Sequence, residues 1–171
     1  MLAGVTLSSL VGCGGSDNAG EGASSSTAAT SSSGAVESTV ASLDAAAVLQ
    51  KLQAAGLPIT DSVVITETND PNNLIGRPGQ YTSKVVFADS RTGVPLDKAK
   101  PDNGSGGSVE VFADAAAAKA RSEYIQKTLA ALGPVAGTEY HYLTGTALVR
   151  VAGVLPPSQA AQYEAAVKAM G

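Results

Sequence analysis

A general base for nucleophilic catalysis would have to be His141, the single histidine of the 171 residues. Ser-His-Asp and Cys-His machinery needs that base within reach of an activated nucleophile. His141 lies between Tyr140 and Tyr142 in the stretch EYHYL, and no G-x-S-x-G elbow occurs to present a serine. A lone strand histidine of this kind reads as a packing or surface residue, so no catalytic residue is assigned. One His and one Cys, Cys13, exclude the usual zinc sets. Glu67, Asn69, Asp70 and Asn72 could gather oxygen ligands for Ca²⁺, but the D-x-[DN]-x-[DN]-G spacing is missing, and Asn and Asp so placed commonly close turns. Glu67, Asp70, Asp89 and Glu110 would serve glycoside hydrolysis only as a pair in one cleft. At loops and strand ends such acids are expected to be solvated. Phosphate-cradling patterns also fail, because Gly104-Ser105-Gly106-Gly107 precedes a strand instead of following one. Neither a metal nor a cofactor is expected.

The least generic stretch runs from Asn69 to Asp89, NDPNNLIGRPGQYTSKVVFAD. Asp70-Pro71-Asn72-Asn73 fits a type I turn, with Pro71 presetting φ at the second position. Arg77-Pro78-Gly79-Gln80 fits a type II turn, with Gly79 supplying the positive φ required third. Two proline turns this close make a shaped loop. Asn72, Asn73, Arg77 and Tyr81 form a candidate recognition loop, since Arg and Tyr on a rigid loop match the composition of binding hot spots. The competing reading has Leu74 and Ile75 plugging the core while Arg77 pairs locally. Were the loop only fold chemistry, a binding site would be sought on the sheet face carrying Lys84, Glu110 and Arg150.

The elements that would position these residues follow from periodicity and punctuation. From Leu43 the pattern is helical, with Val48, Leu49 and Leu52 on one face, Asp44 or Ser42 as cap, and Gly56 and Pro58 ending it. Val63 to Glu67 reads as a strand, Tyr81 to Asp89 as a second and Ser108 to Ala113 as a third, after a polar connection broken by Pro95, Pro101 and Gly104. Strands two and three are expected to pair antiparallel. Asp114 caps a long helix, Ala115 to Leu132, ended by Gly133-Pro134, with Ala118, Ile125, Leu129 and Leu132 on its apolar stripe and Tyr124 beside them. Lys119, Arg121, Glu123 and Lys127 are expected to face solvent. Glu139 to Leu143 and Ala147 to Ala152 form a hairpin, and Pro156-Pro157 opens a last helix. The order α-β-β-β-α-β-β-α predicts an α+β domain, an antiparallel sheet of about five strands layered with three helices.

Net charge of −4 argues against a nucleic-acid partner. The lone cysteine allows no intramolecular disulfide. Leu2 to Gly12 is a short apolar run ending in Leu10-Val11-Gly12-Cys13, which resembles a bacterial lipobox, where the cysteine thiol receives a diacylglycerol and the signal peptide is cut just before it. Residues 1–12 then read as a lipoprotein-type signal peptide, 13–42 as the lipidated cysteine plus a Gly/Ser/Ala-rich disordered linker, and 43–171 as a single domain. No Lys or Arg precedes Cys13, so the natural start is expected upstream of Met1. The phrases DPNNLIGRPGQYTSKVVFAD, VFADAAAAKARSEYI and LPPSQAAQYEAAV resemble small secreted lipoproteins of high-GC actinobacteria, across about Leu43 to Gly171. That resemblance implies location and a unified fold but no catalytic residue, the family having no assigned function. The expectation is a lipid-anchored protein on the extracytoplasmic face of the cell membrane, with an unidentified protein or small-molecule partner and no catalysis. The alternatives are an enzyme or enzyme inhibitor acting on envelope or secreted substrates, and a self-associating envelope component.

Overall fold

The computed structural model describes residues 44–171. The expected lipobox, Cys13 and the linker lie outside the described residues. Helix α1 (Ala45–Ala54) starts where the Asp44 carboxylate accepts the Ala46 N–H, and it buries Ala45, Val48, Leu49 and Leu52 along one stripe. Strands β1 (Ile59–Ile65), β2 (Ser83–Asp89) and β3 (Gly106–Val111) follow, then helix α2 (Ala115–Leu132), strands β4 (Glu139–Thr144) and β5 (Ala147–Ala152), and helix α3 (Pro157–Lys168). The five strands form one sheet in the order β1-β2-β3-β5-β4, and every neighbouring pair is antiparallel. The expected α+β architecture and element order are those of the molecule.

Boundaries differ by two or more residues at three strands, each for a local reason. β1 begins at Ile59, not Val63, because an edge strand needs apolar residues on one side only, and Thr60, Asp61 and Ser62 are tolerated there. It stops at Ile65 because the Asn69 amide folds back, donating to the Val64 carbonyl at 3.0 Å and accepting from the Thr66 N–H at 2.6 Å. β2 starts at Ser83, after a buried Tyr81 has ended the loop. β3 starts two residues early, at Gly106, where bare glycine backbone lets neighbouring strands approach closely.

Strand alternation gives the sheet two unlike faces. Val85, Phe87, Val109, Val111, Ala147, Val149 and Val151 point toward α1 and α3 and form the main apolar core with Val48, Leu52 and Tyr163. The opposite face carries Lys84, Ser108, Glu110, Leu148 and Arg150, and α2 lies over its β4–β5 half. Helix α2 buries Ala118, Ser122 and Ile125, while Tyr124 and Leu132 are exposed, so its stripe is shorter than expected. Arg121, expected outward, turns inward instead, its side chain only 12% exposed.

Two glycines separate strain from crowding. Gly79 sits at φ 72° with open space around a would-be Cβ, so Gly79→Ala costs only backbone strain, about 1 kcal/mol. A Cβ on Gly107 would strike the Arg150 carbonyl and the Phe87 ring. Relief would break the β3–β5 ladder, which puts Gly107→Ala at the upper end of the roughly 1–3 kcal/mol typical of overpacking. Urea unfolding should rank the two variants in that order. Equal midpoints would show that the sheet can spread at Gly107.

Candidate functional site

Glu110 is fully buried in the middle of the sheet, and three cations from three elements meet at it. Lys84 Nζ of β2 lies 3.1 Å from Oε1, Arg150 Nη1 of β5 donates to Oε1 at 2.9 Å, and Arg121 Nε of α2 donates to Oε2 at 3.2 Å. Burial alone would raise the Glu110 pKa, but the charges of Lys84, Arg150 and Arg121 outweigh it and hold the carboxyl below its ordinary value. Arg150 then reaches a second carboxylate, donating through Nε and Nη2 to Glu139 at 2.8 Å each. Glu139 also accepts from Asn103 Nδ2 at 3.0 Å and contacts His141 Nε2 at 3.1 Å. Against the penalty of burial, the His141 and Arg150 contacts take its pKa down from 4.5 to about 2. Acids expected in solvent are thus inside: Asp70, Asp89 and Glu110 are all buried, and Glu67 alone of the four is exposed. For Glu110 the reason is tertiary, since its cations come from β2, α2 and β5; Asp70 is met by N–H groups of its own loop, and Asp89 by Arg91 two residues on together with Tyr163.

The shaped loop joins this network from the side. Both expected turns close, with Asn73 N–H donating to the Asp70 carbonyl at 3.1 Å and Gln80 N–H to the Arg77 carbonyl at 3.0 Å. Asp70 organises the interior of the loop: its carboxylate accepts from the backbone N–H groups of Asn72, Leu74 and Ile75 and from the Tyr81 hydroxyl at 2.7 Å. Burial works to raise the Asp70 pKa, and these hydrogen bonds, Leu74 first, bring it below the ordinary value. Of the candidate recognition residues, Asn72, Asn73 and Arg77 are exposed, but Tyr81 is not. Tyr81 packs edge-on against Phe112, with Lys84 Nζ 5.0 Å and the Arg121 guanidinium 5.9 Å from its ring centre. It belongs to the loop's foundation, not its outer surface. Leu74 and Ile75, half-buried, pack beside it against the same small cluster, as the competing reading expected, but Arg77 makes no ion pair among the described residues. The amide and acid once weighed as calcium ligands are occupied in closing turns. Among the described residues no three His, Cys, Asp or Glu side chains gather where an ion could sit.

Where α2 and the loop leave the polar face uncovered, a cleft of about 510 Å³ opens. Lys84 and Arg150 line it from the sheet, Glu139 from β4, Pro71 and Asn72 from the shaped loop, and Lys100 to Asn103 from the long polar connection. The buried ion network is therefore within reach of a ligand. Of the candidate recognition residues Asn72 lines this cleft, and Lys84, Glu110 and Arg150, named from the sequence as sharing a face, do share one. Sequence reasoning missed Glu139, Asn103 and Arg121. The alternation of EYHYL, which puts Glu139 and His141 on one side, was the signal available for the first.

His141 is not isolated either. Glu139 is held as a carboxylate, so His141 Nε2–H donates to it, while Nδ1 shares a 2.8 Å hydrogen bond with the Ser122 hydroxyl. This Ser-His-Glu relay has the connectivity of a hydrolase triad. Its serine, however, lies mid-way along α2 on the face turned to the sheet, 9% exposed, and lines none of the clefts described. Backbone N–H groups around Ser122 are committed to the helix ladder, leaving no donors for an oxyanion. The relay instead pins α2 to β4.

No known protein family, curated protein or solved structure matches the chain at a significant level. Geometry and chemistry alone carry the functional reading.

The depressed acid at Glu139 has a thermodynamic consequence. A carboxyl held at about 2 in the fold and 4.5 when free contributes fully above the latter value and loses its contribution as pH falls through the former. The effect is on the order of 3 kcal/mol at neutral pH. Glu139→Gln should lower stability at pH 7 and flatten its decline in acid. If wild type and Glu139→Gln lose stability with the same slope in acid denaturation, the carboxyl is not held low.

Proposed function

We propose that the chain is a non-catalytic ligand-binding domain, held on the extracytoplasmic face of a cell membrane by a lipid on Cys13, that takes a small polar molecule into the cleft over Lys84 and Arg150. The observation that carries this reading is a buried ion network under an open cleft. Replacing buried ion pairs by apolar residues is often neutral or stabilising, so such a network is poor stability engineering. The other face of the same sheet shows that this chain can build an apolar core. Charged groups with shifted pKa values lining a cleft are what a binding or catalytic site requires. Asn72 and Asn103 add amide donors and acceptors that suit hydroxyl or amide groups.

Binding is favoured over chemistry because the one nucleophile–base pair among the described residues, Ser122 and His141, is covered by its own helix. The enzyme reading keeps one specific support, the relay itself. Its test is a fluorophosphonate probe: the binding reading expects Ser122 to stay unlabelled, and stoichiometric labelling would make the relay catalytic.

Two outcomes check the proposal as a whole. Cys13→Ser should move the protein from the membrane fraction to the soluble one, since among the described residues no helix is long and apolar enough to cross a bilayer. Continued membrane fractionation would remove the anchor from the reading. Amide spectra of the full chain, titrated with millimolar sugars, hydroxy acids and amino acids, should shift at Asn72, Lys84 and Asn103. Shifts confined to other surfaces, or none, would remove the cleft.

A further inference from the structure

The charges beneath the cleft are unevenly matched. Glu110 is shared by Lys84, Arg121 and Arg150, and of these only Arg150 has a second carboxylate, Glu139. Asp70, the other acid near the cluster, is engaged by three backbone N–H groups and the Tyr81 hydroxyl. Lys84 is 4% exposed, yet among the described residues its ammonium meets one acceptor, Glu110 Oε1, besides the face of Tyr81. An ammonium has three N–H donors. Lys84 therefore brings spare donors and under-compensated positive charge to the sheet side of the cleft. One register step along the same face, the Ser108 hydroxyl is fully buried without a hydrogen-bond partner, beside Arg150. Leaving a buried donor unpaired is costly. Of the two, Lys84 lines the cleft and Ser108 does not, so it is the ammonium that points to a ligand bringing anionic oxygen there.

The walls limit its charge. Glu139 and Asp102 line the same cleft, and Lys100 at the rim does no more than offset Asp102. A dianion such as a phosphate monoester would meet two fixed carboxylates with a single under-matched cation to receive it. A carboxylate carries one charge spread over two oxygens and fits that balance. We infer that the cleft recognises the carboxylate of a small polar molecule, with Lys84 Nζ as its receiving group and Asn72 and Asn103 as contacts for neighbouring hydroxyl or amide groups. The inference rests on the binding reading above and names the ligand class for that site.

Matched acid and amide probes test it on the full chain. Lactate against lactamide, N-acetylalanine against its amide, and glucuronate against glucuronamide differ in charge at constant shape, and inorganic phosphate supplies the dianion. In wild type, the acids should shift the Asn72, Lys84 and Asn103 amides at least ten-fold more tightly than their amides. They should also move the Lys84 ammonium resonance and slow its exchange with water. Phosphate should be weaker than the acids. In Lys84→Met the preference for acids over amides should vanish. Should that variant fail to fold, the ammonium resonance in wild type still decides the matter. Acids and amides binding equally, or phosphate binding tighter than the acids, would overturn the carboxylate inference while leaving the cleft as a binding site. Probes that perturb nothing at the cleft would overturn both.

Discussion

A buried carboxylate, Glu110, is the constraint on which the polar half of the molecule depends. Placed at the centre of the sheet with no exposure, it would be intolerable alone, because desolvating an unpaired charge costs several kcal/mol even after relaxation. Lys84, Arg121 and Arg150 make it tolerable, and each comes from a different element. Meeting that demand fixes the rotation of α2, since only one face of the helix brings Arg121 inward while Ala118 and Ile125 stay buried. The same demand fixes strand order in function if not in origin, since β2 and β5 must flank β3 for Lys84 and Arg150 to reach one residue.

The shaped loop answers to this centre. Asp70 collects the loop's own N–H groups, and Tyr81 carries that order inward to the ring face that Lys84 and Arg121 approach. Rigidity at the loop is thus tied to electrostatics in the sheet. Asn72, two residues from Asp70, is held at the edge of the cleft by the turn that Asp70 accepts from. A wall set in this way needs little reordering when a ligand arrives, and preorganisation spares a ligand that cost.

The opposite face repeats the device once. Asp89 is almost fully buried at the end of β2, gripped by Arg91 through Nε and Nη2 and by the Tyr163 hydroxyl at 2.7 Å. Tyr163 stacks on Phe87 at 5.8 Å between ring centres, which ties α3 to the apolar core. One acid there meets one guanidinium and a phenol, and charge is balanced. At Glu110, by contrast, one acid is shared by three cations.

By itself the sequence determined the kind and order of the elements, because those depend on neighbours within a few residues. Asp44 and Asp114 cap the helices they precede, alternation marks the strands, and both proline turns close between Asp70 and Gln80 where their residue types require. Buried charge was legible only in part. Alternation placed Lys84, Glu110 and Arg150 on one face, but an isolated acid or base in a strand carries no sign of whether it will be covered. That depended on pairings 40 residues apart for Arg150 with Glu110 and 36 apart for Asn103 with Glu139. Tyr81 looked like a contact residue for the same reason, its composition suiting a binding surface as well as a buried post. Tertiary structure decided between them, because only the folded chain brings the donors and rings that make burial affordable.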